Sequence, residues 1–194
     1  MKKLLITGFE PFGGENINPS WEAVCRLPSE IDGYILTKLL LPVVFGKAAE
    51  AVIEAADNMH PDVILSVGQA GGRNAITPEM LGINLRHASI PDNQGNKPCD
   101  ETIAIGGENA LFSTIPVRKI CEAVKDCGVA AAVSYSAGAY VCNDVLYSLL
   151  LHFKGSDTKV GFIHIPYSKE QNKEPSFDLG DIVDGLTAAI KALD

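Results

Sequence analysis

The sequence predicts a three-layer α/β/α sandwich built on a mostly parallel, mixed and twisted sheet. Three observations carry that expectation. Short apolar runs that read as buried strands recur along the chain, at Leu4 to Gly8, Val63 to Gly68, Ala130 to Tyr135 and Lys159 to Pro166. Segments with helical apolar spacing separate them, the alternation that builds parallel sheets. The length, 194 residues, suits a single domain spanning residues 1–194 with a core of its own.

The elements follow in order. Leu4-Leu5-Ile6-Thr7-Gly8 is an apolar run ending in glycine, the mark of a buried first strand. A loop, Gly8-Phe9-Glu10-Pro11-Phe12-Gly13-Gly14, leads to a helix through about Leu27. Asn18 is its expected N-cap, with Pro19 in the first turn, where a missing N–H costs nothing. Tyr34 to Val43 alternates loosely and reads as a strand. Phe45 to Met59 has helical spacing, with Ala48, Val52, Ile53 and Ala56 on one face. Pro61 closes that helix and Val63 to Gly68 is the next buried strand, followed by the turn Gln69-Ala70-Gly71-Gly72-Arg73.

Ile76 to Ile90 mixes short apolar pairs with polar residues, as in an excursion of short strands, and Pro91 to Gly107 reads as an extended loop. Ile115 to Cys127 is helical, with Pro116 early and Gly128 as its stop. Ala130 to Tyr135 reads as a buried strand. A small-residue loop gives way to a buried helix to about Phe153, and Lys159 to Pro166 is the last strand. Leu179 to Leu193 closes the chain as an amphipathic helix, with Ile182, Val183, Leu186, Ala189 and Ile190 inward.

Composition narrows the function classes. The net charge is -8 and the basic residues are scattered, which argues against a nucleic-acid surface. Five cysteines without a CxxC pair fit a reducing compartment, and no His/Cys/Asp cluster has the spacing of a metal site, so neither metal nor cofactor is expected. Two lysines and three apolar residues before Thr7 are too few for a signal-peptide core, and no stretch reaches transmembrane length. A cytoplasmic protein without a membrane partner is expected.

Ligand sites in such sheets lie beyond the carboxyl ends of the strands. The loops after Gly8, Gly68, Tyr135 and His164 share that edge, so one crevice is expected to gather Phe9, Gln69, Cys142 and His164. Cys142, in Ser136-Ala137-Gly138-Ala139-Tyr140-Val141-Cys142-Asn143-Asp144, falls at a helix start. There the backbone dipole and unpaired N–H groups favour a thiolate nucleophile and can receive an oxyanion. A thiol nucleophile needs a base, and among four histidines His164 alone ends a strand on the right edge. His60 stands at a helix end, His152 in the middle of a helix, and His87 in the irregular excursion. Glu79, Asp92 and Asp100 are each candidates to orient the base, and spacing does not choose among them. Cys25, Cys121 and Cys127, within helices, read as small core residues, and Cys99 as a loop thiol. Phe9 and Phe12 are either a clamp for a flat apolar ring or anchors pinning their loop to the core. Gly8 to Gly14 does not match the dinucleotide pattern G-x-G-x-x-G, and Pro11 would obstruct a pyrophosphate.

These segments together resemble the pyroglutamyl-peptidase I family of cysteine peptidases. The resemblance is carried by Thr7 to Gly14, Asn18 to Val24, Gly68 to Glu79, Ile90-Pro91-Asp92-Asn93, Ser136-Ala137-Gly138 with Val141-Cys142-Asn143, and Gly161 to Tyr167, in family order across nearly the whole chain. It implies a catalytic triad of Cys142, His164 and Glu79, and a pyroglutamyl pocket of Phe9, Phe12, Gln69, Ile90, Tyr140 and Val141. It implies hydrolysis of the N-terminal pyroglutamyl (5-oxoprolyl) residue from peptides through a thioester, by a homo-oligomer, commonly a tetramer. The chain departs from the family at three places. Tyr140 stands where phenylalanine is frequent, and Ser89 where an arginine commonly precedes Ile-Pro-Asp-Asn, with Arg86 three residues away. Met80-Leu81-Gly82 replaces the usual residues after the glutamate. Two other readings stand beside it: a nucleoside phosphorylase, whose sandwich is similar and for which Gly71-Gly72-Arg73 is a faint phosphate cradle, and a protein that binds pyroglutamate without cleaving it.

Overall fold

The computed structural model describes residues 1–194. Strand β1 (Lys2–Phe9) is buried over its last six residues, as a strand covered on both faces must be. Helix α1 (Pro19–Arg26) starts where expected: Asn18 Oδ1 accepts the Ser20 N–H at 3.1 Å and the Ser20 hydroxyl at 2.8 Å. Strands β2 (Glu30–Ile31) and β3 (Tyr34–Leu41) pair antiparallel across Asp32-Gly33, both with positive φ. Helix α2 (Lys47–Met59) ends at His60, a left-handed residue before Pro61. Strands β4 (Val63–Gln69), β5 (Thr77–Pro78), β6 (Leu81–Ile83) and β7 (Ala110–Phe112) follow, then helices α3 (Val117–Asp126) and α4 (Val141–His152). Strands β8 (Lys159–Ile165), β9 (Tyr167–Ser168) and β10 (Ser176–Phe177) and helix α5 (Leu179–Lys191) complete the chain.

The main sheet has the order β2-β3-β1-β4-β8-β5. Its four inner strands are parallel and both edge strands antiparallel, so the sheet is mixed but mostly parallel. Alternation of side chains along the strands divides the core. Leu4, Ile6, Leu65, Val67, Ile163 and Ile165 pack with Val24, Ile120, Val124, Ile182 and Leu186 of α1, α3 and α5. Leu5, Phe9, Ile64, Val160 and Phe162 pack on the other face with Ala48, Val52, Val145 and Leu149 of α2 and α4. Burial of each such side chain contributes about 1.5–3 kcal/mol, which makes the sheet a stiff platform for whatever its strand ends carry. No helix is long and apolar enough to cross a membrane.

Three expectations are corrected. Ala130 to Tyr135 is not a buried strand: it touches the sheet edge only through isolated bridges, Ile76 with Ala131 and Glu79 with Ser134, and Tyr135 is exposed. The run has a neighbour on one side only, and Pro78 in that neighbour has no N–H to donate. His152 is the last residue of α4, not in its middle, and faces Asp57. Cys25 and Cys127 are exposed, so among the helix cysteines only Cys121 is a core residue.

Candidate active site

The turn before α4 sets the position of Cys142. Tyr140 is the N-cap and supplies no side-chain hydrogen bond, while Asp144 N–H already pairs with Tyr140 O at 3.1 Å. The N–H groups of Val141, Cys142 and Asn143 precede any helical carbonyl they could reach, so the first turn presents free donors. Beneath Cys142 lies Gly68 of β4, where a Cβ would fall 2.9 Å from Cys142 Sγ and 2.7 Å from Phe162 Cζ. Gly68 pairs in register with His164 on β8. The missing side chain is therefore what lets the thiol settle onto the sheet beside the imidazole.

His164 is buried, its ring against Phe162 at 4.7 Å between centroids. Its Nδ1 lies 2.7 Å from Glu79 Oε1, which makes Nδ1 the protonated nitrogen and leaves Nε2 as a base. Glu79 is fully buried immediately after β5, and its backbone is fixed by Glu79 N–H to Phe162 O at 2.9 Å and Ser113 Oγ to Glu79 O at 2.6 Å. Arg73 donates through Nη1 to the same Oε1 at 2.7 Å and through Nη2 to Ser136 O at 3.0 Å. Oε2 is buried without a hydrogen-bond partner; the Ser134 hydroxyl nearby donates to Ser136 O at 3.2 Å.

These contacts set the charges. Burial acts to raise the Glu79 pKa, but the hydrogen bond and charge of His164, aided by Ser134 and Arg73, outweigh it, and the carboxyl stays below its ordinary range. Burial lowers the pKa of His164 and prevails over the opposing Glu79 hydrogen bond and charge, with Arg73 adding to the lowering. Burial pushes the Cys142 thiol up to about 12, the Glu79 charge reinforcing it against Arg73 and the thiol's own backbone N–H. The expected preference for thiolate is thus corrected. Part of Cys142 stays open to the cleft, but the surrounding protein strips more hydration from the anion than the helix start returns. Both shifts act toward the uncharged forms, a neutral thiol and a neutral imidazole.

A cleft of about 310 Å³ opens above these groups, at the small end of ligand sites. Phe9, Phe12, Gln69, Tyr140, Cys142 and His164 line it, together with Asn18, Val43, Arg73 and the segment Ser136-Ala137-Gly138. Phe9 is buried against Phe162, as an anchor of its loop is, whereas Phe12 is half-buried and faces Tyr140 at 6.2 Å. The Tyr140 hydroxyl donates to Pro91 O at 3.1 Å. Gln171 Nε2 donates to Gln69 Oε1 at 2.9 Å, which leaves the Gln69 amide hydrogens free.

The sequence as a whole decides the family. The pyroglutamyl peptidase family model matches residues 2–194. The chain belongs to the pyroglutamyl peptidase family. It is 48% identical to the pyrrolidone-carboxylate peptidase of Lactobacillus johnsonii, covering 98% of this chain and 92% of that one. The same identity holds for that of Thermosipho africanus, over 98% and 96% of the two chains. Among solved structures, pyroglutamyl peptidase I of Bacillus amyloliquefaciens superposes with a TM-score of 0.95 at 44% identity, covering 100% of this chain and 97% of that one. A mutant (A199P) pyrrolidone carboxyl peptidase of Pyrococcus furiosus gives 0.93 at 40% identity, over 97% and 96%.

Other residues singled out by sequence fall elsewhere. Val141 is buried in the first turn of α4 and Ile90 is exposed; neither is among the lining residues of the cleft. Ser89 is exposed, and Arg86 does not reach the cleft: its Nε is 2.6 Å from Asp144 Oδ1. Arg73, not Arg86, is the guanidinium of the site, and with its donors on Glu79 and Ser136 it makes no phosphate cradle. Met80 leaves Glu79 in place, because Met80 N–H donates to Ser134 O at 2.7 Å. Asp92 caps its own loop, accepting from Phe45, Gln94 and Asn96 N–H groups, and Asp100 faces His87. The expectation that no His/Cys/Asp cluster forms is corrected, since His87, Cys99 and Asp100 converge. Arg73 and Gln171 are the site residues that sequence reasoning missed. The glycines before Arg73 hint at a turn, but nothing in either residue's surroundings names its partner.

Proposed function

We propose that the chain is a cysteine omega-peptidase in which Cys142, His164 and Glu79 remove the N-terminal pyroglutamyl residue from peptides. The observation that carries the assignment is the 2.7 Å contact of His164 Nδ1 with Glu79 Oε1, at a cleft that Cys142 and His164 both line. His164 Nε2 takes the thiol proton as sulfur bonds to the pyroglutamyl carbonyl carbon. The oxyanion is met by the N–H of Cys142 and a neighbouring first-turn donor. The amide C–N bond then breaks as His164 returns the proton to the leaving amine. Water, deprotonated by the same nitrogen, hydrolyses the thioester, releasing pyroglutamate and restoring the thiol. Glu79 holds the Nδ1–H tautomer and balances the imidazolium that forms in each half-reaction.

Phe9, Phe12, Tyr140 and Val43 form an apolar slot for the flat, uncharged lactam, and the free Gln69 amide supports its carbonyl. Ile90 and Val141 act from outside the lining, Ile90 at the rim and Val141 by fixing the first turn of α4. A charged N-terminus would lose hydration there with no free carboxylate to meet it, since Glu79 is already paired. Residues 1–194 act as one unit, without metal or cofactor in the reaction. Five unpaired cysteines favour a reducing, cytoplasmic setting. The family resemblance favours a homotetramer, and exposed Ile35, Leu40 and Phe112 offer apolar surface for contacts; light scattering on the purified chain tests the number of copies.

The deciding assay is release of coumarin from a pyroglutamyl-coumarin amide by the reduced protein, by Cys142→Ala and by iodoacetamide-treated protein. Turnover is expected only in the first. Turnover that survives in Cys142→Ala removes the cysteine mechanism, and no turnover in the reduced protein favours a binding-only role.

A further inference from the structure

We propose that His87, Cys99 and Asp100 form a binding site for a thiophilic divalent transition-metal ion of the zinc class. The three residues are exposed, and an imidazole nitrogen, the thiol sulfur and a carboxylate oxygen all lie within 4.8 Å of one another. His87 Nδ1 is already 2.9 Å from Asp100 Oδ1. The convergence is fixed by backbone: Arg86 N–H to Glu101 O at 2.7 Å, Glu101 N–H to Arg86 O at 3.0 Å and Ala88 N–H to Pro98 O at 2.9 Å bind one segment to the other. The two segments are thereby held side by side, and the three ligand atoms converge in the rotamers present.

Zinc bonds of about 2.0–2.2 Å to nitrogen and oxygen and about 2.3 Å to sulfur place tetrahedral neighbours roughly 3.2–3.7 Å apart. Exposed side chains reach that spacing by small rotations, with water as the fourth ligand. A thiolate with an imidazole selects zinc-like ions over Mg²⁺ and Ca²⁺, which demand oxygen donors. Binding requires Cys99 to release its thiol proton and His87 to be neutral, so affinity rises with pH. The site is separate from the cleft, whose lining includes none of the three. It nevertheless lies on the cleft's outer brace: His87 N–H donates to Ala139 O at 2.8 Å, and Pro91 O accepts the Tyr140 hydroxyl at 3.1 Å. A bound ion staples the segment that supports the turn leading into α4.

The test uses the full chain carrying Cys142→Ala, which removes the cleft thiol as a competing ligand. Titration with Zn²⁺ is expected to give one equivalent per chain with release of a proton, unaffected by excess Mg²⁺. Titration with Co²⁺ is expected to give a thiolate charge-transfer band and strong tetrahedral absorption. Cys99→Ser should abolish the charge-transfer band, and Cys99→Ser and His87→Gln should each weaken Zn²⁺ at least tenfold. Cys99→Ser in the otherwise native chain should keep its turnover, which checks the fold. Zn²⁺ binding of equal strength in both variants, or no stoichiometric binding in the parent, overturns the proposal.

Discussion

Arg73 Nη1 and His164 Nδ1 converge on one oxygen of Glu79, each at 2.7 Å from Oε1. The guanidinium is partly exposed at the cleft wall while the carboxylate is fully buried. Arg73 therefore fixes the carboxylate that fixes the imidazole, and through Ser136 O it ties the same group to the cleft loop. It acts through Glu79 and is a positioning residue. Its charge also lowers both the thiol and the imidazole pKa.

Arg73→Gln is expected to lower kcat/KM by about 10- to 150-fold, the range set by about 1.5–3 kcal/mol for a hydrogen bond to a charged group. Arg73→Lys should restore part of the loss. Removing the cation also lets the His164 pKa rise, so the acid limb of the kcat/KM profile should move to higher pH in Arg73→Gln. A lower plateau with an unmoved limb would reduce Arg73 to a structural role.

A thiol pushed up to about 12 beside a lowered imidazole predicts how the resting site reacts. The inactivation rate with iodoacetamide should climb about tenfold per pH unit through neutral and mildly alkaline pH, tracking the small thiolate fraction. Proton transfer then accompanies attack on substrate, and kcat/KM should carry a solvent isotope effect. An alkylation rate that levels off near neutral pH would mean a preformed thiolate–imidazolium pair.

The same groups set the pH range of stability. The Glu79 and His164 pKa values are lowered in the folded chain, so their contributions are present at higher pH and lost as pH falls. The unfolded chain takes up the histidine proton near its ordinary 6.5, so the loss begins there and deepens as Glu79 is protonated. Cys142 is raised from 9.0 to about 12, so its contribution is full below about pH 9 and lost as pH rises through the folded value. Urea midpoints should hold level between those limits and fall outside them. In Cys142→Ala the fall above pH 9 should be shallower, carried there by the raised Cys25 thiol and, from about 10, by the raised Tyr34, Tyr140 and Tyr147 hydroxyls.

Much of this was legible in sequence, for identifiable reasons. Strands β1, β4 and β8 are continuous apolar runs ended by glycine or proline, which two covered faces require, and Asn18-Pro19 marks the start of α1 through local chemistry. His164 was readable because strand ends on one edge must share a crevice, and Cys142 because a small-residue loop before an apolar run marks a helix start, even though the segment ahead of that loop is not a strand. Glu79 was not readable from spacing, because its role depends on an edge strand of two residues and on the pairing of Thr77 with His164. Arg73 lay hidden for the same reason: the turn through Gly71, where a Cβ would fall 2.1 Å from the Tyr167 hydroxyl, is what brings the guanidinium to the carboxylate. The 130–135 run misled because its alanines and valines carry strand propensity, whereas burial depends on a neighbour the sheet does not supply.

Gly68 supplies the sharpest steric prediction. A methyl at residue 68 would stand 2.7 Å from Phe162 Cζ and 2.9 Å from Cys142 Sγ, both closer than real contacts allow. Phe162 is fully buried against Phe9 and His164 and has nowhere to go. The thiol borders open cleft and is the group that yields. Gly68→Ala should therefore displace Sγ from the imidazole, and a misplacement of about 1 Å costs on the order of 100-fold in rate. The loss should fall on kcat rather than KM, since the slot lined by Phe9, Phe12 and Tyr140 is untouched. Overpacking should also lower stability by about 1–3 kcal/mol in urea denaturation. Unchanged kcat in a folded Gly68→Ala protein would mean that the thiol does not need its seat on the sheet to reach His164.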